Sequence, residues 1–534
     1  MKFFNTAGPV NPSDHYCLPL LIRLDINEIV SLISQKKYFV LHAPRQTGKT
    51  SCLKALMNYL NDSGDYTCLY INIESAQAAR ENVAGGIHAI VDEIYDRVAD
   101  NRILSDPNNL IEGLWEQYSE YSALSTILSR LSQASEKPVV LLIDEIDTLV
   151  GDTLISTLRQ IRKSYDKRPE LFPQSIILCG VRDIRDYRIH SDREKSVITG
   201  GSAFNVKAES LRLGNFTESD ITELCLQHTK ETGQRFLKEA LWAIWYFSAG
   251  QPWLVNALAY ELCFRMEDGK VRNTPISEEM VSIAKERLIS RRETHLDHLA
   301  DKLKEERVRR VIEPMLTSTI FEQKFQRDDL EYVIDLGLIT REPNGSVHIA
   351  NPIYQEVIPR ELTWTIQAGI SVQSSWFIAD DGRIDMRKLL SSFQQFYREN
   401  SGSWLEIAQY HEAGPHLLLQ AFLQRIINGG GRIEREYGLG RGRTDLLVMW
   451  PYKQKVQRII IEIKIMHHSR NITIRDGLVQ ICRYRDHVGA DESHLVIIDR
   501  TIDTPWEQKI FEAEEIYEGT PDIPVLCPVT IWGM

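Results

Sequence analysis

The chain has 534 residues, of which 43% are hydrophobic and 25% charged, with a formal net charge of -12 at pH 7. That length accommodates about two to four domains, each with its own core. The acidic balance excludes a uniformly basic, histone-like surface but leaves room for a local basic patch. The eight cysteines include no CxxC pair and mostly lie in apolar runs, a pattern of reduced, buried thiols in a cytoplasmic protein rather than a disulfide frame or zinc site.

In chain order, the opening MKFFNTAGPVNPSD lacks the apolar stretch of a signal peptide. Apolar runs rich in β-branched residues follow at Tyr38–Ala43, Tyr66–Ile73, Val139–Ile143 and Ser175–Val181, with a weaker one at Phe204–Lys207. Helical patterns such as Ser51–Leu60 and Ala84–Ala99 alternate with them. Continuous apolar strands separated by helices predict an α/β fold with a parallel sheet covered on both faces.

The first strand runs into APRQTGKT, that is Ala43, Pro44, Arg45, Gln46, Thr47, Gly48, Lys49 and Thr50, and a helix opens at its end. A turn before a helix N-terminus aims backbone N–H groups inward and cradles phosphate. Lys49 is expected to reach the outer phosphates of ATP, and the Thr50 hydroxyl to ligate Mg²⁺. Ala43 stands where glycine is usual. The strand VVLLIDEID at Val139–Asp147 ends in two acids, of which Asp144 suits the Mg²⁺ shell and Glu145 the orientation of the attacking water. Ser175–Val181 ends in Arg182-Asp183, a polar strand end able to sense the γ-phosphate.

From about residue 210 to 305 the pattern is helical. Thr217 and Asp220 form an N-cap signal. Ala240–Tyr260 carries no charged residue and has about the length of a membrane span. Gly250-Gln251-Pro252 breaks it and Asn256 would be unpaired in lipid, so a buried helix–turn–helix is expected and no membrane contact. Helices at Glu306–Glu313, stopped by Pro314, and at Arg327–Leu336 lead to a hairpin turning at Pro343-Asn344-Gly345, which together read as a winged helix at 306–364. Residues 365–400 read as a linker.

The order APRQTGKT, LLIDEID, LCGVRD and SAGQPW resembles bacterial AAA-type ATPases near the archaeal-ATPase and STAND groups, over residues 10–364. The resemblance implies an ATPase core at 1–209, a helical lid at 210–305 and the winged helix as scaffold or switch. It implies that Arg182 acts near the γ-phosphate and that Pro252 shapes the lid near the nucleotide. An ATP-dependent homo-oligomer is in keeping with it, with Arg159 and Arg162 as candidates to reach a neighbour's ATP.

After residue 401 the pattern becomes helix (Pro415–Ile427), three strands (Ile433–Tyr437, Arg443–Met449, Arg458–Ile465), helix (Ile474–Asp486), strand (His494–Ile498). Residues two apart on a strand share a face, so Glu462 and Lys464 point together, and Asp445 on the preceding strand can lie opposite. Two carboxylates beside a lysine suit Mg²⁺-assisted phosphodiester hydrolysis, with Asp445 and Glu462 holding the metal and Lys464 stabilising developing charge. Gln480 and Tyr484 are four apart and share a helix face. Residues 431–490 hold twelve Lys or Arg against six Asp or Glu, the local electrostatic footprint of a nucleic-acid partner, and Arg441 and Arg443 are natural phosphate contacts. His467 and His468 diverge on a strand and read as a solvated edge.

The αβββαβ order with Asp445…Glu462-Ile463-Lys464 resembles the PD-(D/E)xK nuclease superfamily, and Gln480…Tyr484 resembles the QxxxY element of its RecB-like members, over residues 401–534. Thr444 replaces the usual proline. The family often adds an acid from its first helix, for which Glu412 is a candidate, with Glu436 another. The combined expectation is an ATP-dependent or ATP-gated, Mg²⁺-dependent nuclease acting on nucleic acid, DNA rather than RNA, with a defence or mobile-element role by analogy. The rival expectation is a STAND-like signalling ATPase whose C-terminal domain binds nucleic acid or a protein without cleaving.

Overall fold

The computed structural model describes residues 1–182, 188–191, 196–199, 207–291, 293–315, 326–362, 377–407, 418–423, 431–437, 444–453, 455–466, 469–501, 504–517 and 526–534. They form two compact units: Met1–His295 with Gln326–Ile353, and Leu296–Phe325 with Tyr354–Met534.

The first unit begins with an arm of two short parallel strands, β1 (Phe3–Phe4) and β2 (His15–Tyr16). Its main sheet contains β3 (Tyr38–His42), β4 (Thr67–Asn72), β5 (Val139–Asp144), β6 (Ser175–Gly180) and β9 (Lys207–Arg212), in the order β4-β5-β6-β3-β9. Every pairing is parallel. β3, β5 and β6 are buried along their whole length, which is why they read as unbroken apolar runs. Helices Val83–Asp100, Ala123–Ala134 and Gly151–Lys163 cover one face through residues such as Ile87, Ile94, Leu128 and Leu158. Helices Ile26–Ser34 and Lys49–Ser63 cover the other through Ile29, Ile33, Leu53 and Leu56. Between β6 and β9 lies a hairpin of β7 (Arg188–Ser191) and β8 (Ser196–Thr199).

The weak strand expected at Phe204–Lys207 sits later, at Lys207–Arg212, and 200–206 lie outside the described residues. β9 is an edge strand paired with β3 alone, so KAESLR alternates instead of running apolar and gave little signal.

In the helical region, Glu218–Thr232 starts with the full capping box between Thr217 and Asp220. The uncharged stretch forms two packed helices, Lys238–Ser248 and Pro252–Tyr260. Ala249 and Gly250 join them with φ of 45° and 72°, and a Cβ on Gly250 would stand 1.9 Å from the Phe216 carbonyl oxygen. Glycine is therefore required there both for its torsion and for space. Among the described residues no helix is long and apolar enough to cross a membrane.

Helix Arg327–Asp335 is followed by β10 (Ile339–Arg341) and β11 (Val347–Ile349), paired as the expected hairpin, with Gly345 at φ 87° in its turn. These belong to the first unit, whereas helices Glu306–Met315 and all but the first two residues of Pro352–Leu362 belong to the second. The segment 306–364 is thus divided between the two units. Glu306–Met315 also runs through Pro314 instead of stopping before it; in the last turn a proline costs a single i→i−4 bond, so the helix tolerates it.

The second unit is built on a six-stranded sheet. Its strands are β12 (Arg432–Tyr437), β13 (Thr444–Tyr452), β14 (Lys455–Ile465), β15 (Glu492–Ile498), β16 (Phe511–Tyr517) and β17 (Cys527–Gly533), ordered β12-β13-β14-β15-β17-β16. β12, β13 and β14 are antiparallel, β14, β15 and β17 parallel, and β16 returns antiparallel on the edge. The stretch expected to link, 365–400, contains most of a helix, Met386–Ile407. Its Met386, Leu389, Leu390, Phe393 and Tyr397 recur at helical spacing and are buried against one sheet face, as are Leu418 and Phe422 from the helical residues 418–423. Helix Arg470–Val488 covers the opposite face through Leu478, Ile481, Cys482 and Tyr484.

Candidate functional site

The loop after β3 turns sharply into the helix that starts at Lys49. Gln46 and Gly48 have φ of 56° and 86°, the left-handed torsions that curl successive N–H groups inward. Lys49 is buried and folds back on the loop, its Nζ donating to the carbonyl oxygens of Ala43 at 2.9 Å and Pro44 at 3.1 Å. Thr47 Oγ1 donates to Pro44 O, closing the turn. Arg45 and Gln46 are exposed.

β4 and β5 run in register, with Asn72 opposite Asp144. Asp144 is fully buried, and its Oδ2 accepts from the hydroxyls of Thr50 at 2.7 Å and Tyr70 at 3.0 Å. The expected pair of Mg²⁺ ligands, Thr50 and Asp144, is therefore in direct contact. Glu145 leaves the strand at φ 62° and ψ 37°, a left-handed conformation that costs a non-glycine residue energy and clusters at functional positions. Burial, then the charge of Asp147, pushes its carboxyl above the usual range, while Lys49 pulls the other way. This suits a proton acceptor.

At the end of β6, Arg182 lies 5.2 Å over the Tyr332 ring; Asp183 is outside the described residues. Tyr332 belongs to helix Arg327–Asp335, which packs onto the P-loop end of the sheet. His42 Nδ1 stands 3.5 Å from Asp335 Oδ1, Arg212 donates to Ile334 O, and a Cβ on Gly337 would sit 2.6 Å from Pro44. Nothing in the sequence patterning pointed to this contact, because none of these residues belongs to a phosphate motif. Arg159 is exposed and Arg162 half-buried on the helix Gly151–Lys163.

A cavity of about 130 Å³ opens beside Gln46, Thr47 and Gly48. Pro252 lines it, as the resemblance implied, together with Asn5, Leu20, Arg23, Phe216 and Trp253. Arg23 donates to Thr47 O at 2.6 Å and lies 5.1 Å over Phe216. The N-terminal arm reaches this cavity because it is built into the lid: Phe4 and Tyr16 are buried there, and Trp253 Nε1 donates to Thr6 O. Sequence reading missed the arm, whose short strands carry no periodic signal.

In the second unit Asp445, Leu447, Ile460, Glu462 and Lys464 share the sheet face under helix Arg470–Val488, since Leu447 and Ile460 pack with that helix and strand parity carries the others. Gly477 lets the helix approach, as a Cβ there would meet Leu495 at 2.5 Å. Gln480, one turn on, accepts from Lys464 Nζ at 2.6 Å. Lys464 Nζ also stands 2.9 Å from Glu462 Oε1. Asp445 Oδ2 accepts from the Ile463 amide at 2.7 Å. Glu462 is completely buried and its Oε2 has no hydrogen-bond partner among the described residues. Burial, reinforced by Asp445, pushes its carboxyl well above the usual range against the pull of Lys464. Tyr484 packs in the apolar cluster beneath the helix. Glu412, Arg441, Arg443, His467 and His468 lie outside the described residues, and Glu436 falls on β12. No group of three or more His, Cys, Asp and Glu side chains stands close enough to hold a metal among the described residues.

Residues 32–187 match the family described as AAA domain. The N-terminal region is an AAA-type P-loop ATPase domain. ATP is the ligand of such domains, typically with Mg²⁺. Among solved structures the chain is similar to a Walker-type ATPase of Pyrococcus abyssi, at 15% identity over 66% of this chain and 99% of that one, with a TM-score of 0.46. Cdc6p from Pyrobaculum aerophilum gives 17% identity, 66% and 100% coverage and a TM-score of 0.35. The RuvB Holliday junction branch migration motor of Thermotoga maritima gives 14%, 62% and 94%, and 0.31. No curated protein matches the chain significantly. In the ATPase domain the matched segment holds the P-loop, Asp144, Glu145 and Arg182, and ends before β9.

Proposed function

We propose that this chain is an ATP-dependent or ATP-gated nuclease in which nucleotide turnover at the AAA-type domain controls a second, phosphodiester-cleaving site. Lys49 exchanges the Ala43 and Pro44 carbonyls for the outer phosphates of ATP. Thr50 and Asp144 present hard oxygen donors 2.7 Å apart, a set that suits Mg²⁺, and they would hold it against the phosphates, whose charge it neutralises. Glu145 orients and polarises the attacking water, its strained backbone fixing the carboxylate at the strand end. Arg182 engages the γ-phosphate.

The observation that carries the nuclease reading is Glu462. An unpartnered carboxylate oxygen in an apolar core is costly, and here it lies beside a second carboxylate and a lysine on one sheet face, the lysine bonded in turn to a glutamine of the covering helix. A core position selected for stability alone would hold an apolar residue. Asp445 and Glu462 are oxygen donors suited to Mg²⁺, which would supply charge neutralisation at a scissile phosphate. Lys464, oriented by Gln480, stabilises the negative charge that develops there. The test is a cleavage panel of labelled DNA and RNA with and without Mg²⁺ and ATP, using wild type and Lys464→Ala. Cleavage by wild type that disappears in the variant supports the reading; equal Mg²⁺-dependent cleavage by both refutes it. Absence of cleavage from wild type under every condition favours a signalling ATPase with a non-cleaving C-terminal domain.

A further inference from the structure

The turn after β5 carries a third acid, Asp147, to which no motif gave a role. It sits in the short 3-10 turn Ile146–Thr148 that follows Glu145. Its Oδ1 accepts from the backbone amide of Val181 at 3.2 Å, immediately after β6 ends. Gly180, the residue before, is glycine for lack of room rather than for its torsion: a Cβ there would stand 2.6 Å from Asp147 Oδ1 and 3.1 Å from Ile146 Cγ2. The Gly180 carbonyl in turn accepts from the Ala43 amide at 3.2 Å. The end of β6 is thus held on one side by the first residue of the P-loop and on the other by the turn that follows the candidate base. Arg182 is the next residue along.

We propose that Asp147 is a positioning residue for ATP hydrolysis: by accepting the Val181 amide across Gly180, it locks the end of β6 to the turn after Glu145 and aims Arg182 at the γ-phosphate. A strand end without such an anchor frays, and catalysis by a charged group falls steeply with sub-ångström misplacement. The proposal rests on the reading of Glu145 and Arg182 as the base and the γ-phosphate contact.

The test measures ATP turnover, KM for ATP and ADP affinity in Asp147→Ala, Asp147→Asn, Gly180→Ala, Arg182→Ala and the Asp147→Ala/Arg182→Ala double variant, with thermal melting to verify folding. Asp147→Ala is expected to lower kcat about 10- to 100-fold, with ADP affinity within about threefold, since ADP lacks the phosphate that Arg182 meets. Asp147→Asn keeps an acceptor oxygen and recovers most of the rate. Gly180→Ala pushes the carboxylate away and repeats part of the loss. The double variant is slower than Arg182→Ala by no more than Asp147→Asn is slower than wild type, because the anchor acts through Arg182 while only the charge of Asp147 acts on Glu145. Wild-type kcat in Asp147→Ala, no rescue by asparagine, or multiplied losses in the double variant would each overturn the proposal. Glu145→Gln run alongside separates the two readings: if it turns over like wild type, the assigned base is wrong, whereas its expected collapse beside an unaffected Asp147→Ala removes Asp147 alone.

Discussion

The molecule holds two lysine–carboxylate constellations, and they are stabilised in opposite ways. In the ATPase domain the lysine and the buried aspartate are both bonded internally. Lys49 bonds two loop carbonyls, and Asp144 accepts two hydroxyls. In the second unit Glu462 is buried beside Asp445 with one oxygen unpartnered and Lys464 against the other, so its desolvation is offset only in part. The first constellation satisfies its lysine and its buried aspartate internally; the second leaves a buried carboxylate oxygen without a partner.

The largest expected effects separate the two chemistries. Lys49→Ala or Glu145→Gln should lower ATP turnover by about 100-fold or more, measured by phosphate release; near-normal turnover would dissolve the first half of the contrast. Lys464→Ala should lower Mg²⁺-dependent cleavage by about 100-fold while leaving ATP turnover within about twofold in the absence of nucleic acid. A parallel loss of turnover would mean that the two sites are not separable.

Stability sharpens the contrast further. A Glu462→Leu/Lys464→Met double variant, which replaces the buried pair by apolar side chains of similar size, should raise the stability of the second unit by about 1–4 kcal/mol without divalent cation, and should abolish cleavage at the same time. Asp144→Asn should give the ATPase domain no such gain, since its carboxylate is already hydrogen-bonded. Differential scanning calorimetry of the full chain reads both, and a loss of stability in Glu462→Leu/Lys464→Met would remove the argument from buried cost.

The smallest effect lies in a polar network away from both sites. Glu492 accepts from Gln457 Nε2 at 2.7 Å and faces His494 Nε2 at 3.5 Å. Burial pushes the Glu492 carboxyl up, but His494, Gln457 and Arg383 together hold it below the usual range. A carboxyl depressed in the folded state adds stability above its unfolded pKa, and that stability is lost as pH falls through the folded value. Acid should therefore cost wild type more than Glu492→Gln, which should be destabilised by about 1 kcal/mol at neutral pH. Identical acid melting curves would show that the network does not titrate with folding.

The phosphate-binding half of the protein was legible because its chemistry is local. Lys49, Thr50, Asp144 and Glu145 lie within short motifs attached to buried strands whose apolar runs advertise a parallel sheet. The same holds for Asp445, Glu462 and Lys464, which strand parity alone sends to one face. What sequence could not show were features made by distant segments. The N-terminal arm beside the cavity at Gln46–Gly48, the helix Arg327–Asp335 against the P-loop, and the Gly180 gap under Asp147 all depend on tertiary contacts. Helix Met386–Ile407 was missed for another reason: its apolar spacing was present, but its Ser, Gln and Asn content masked it as a linker. Edge strands β9 and β16 alternate or carry charge, so neither stood out from loop.

The most direct test of the two-site account is a paired measurement of ATP turnover and labelled-strand cleavage, with Mg²⁺, in wild type, Lys49→Ala and Lys464→Ala. The account predicts that Lys49→Ala loses turnover, and ATP-responsive cleavage with it, while Lys464→Ala keeps turnover and loses cleavage. Cleavage by Lys464→Ala at the wild-type rate would contradict it.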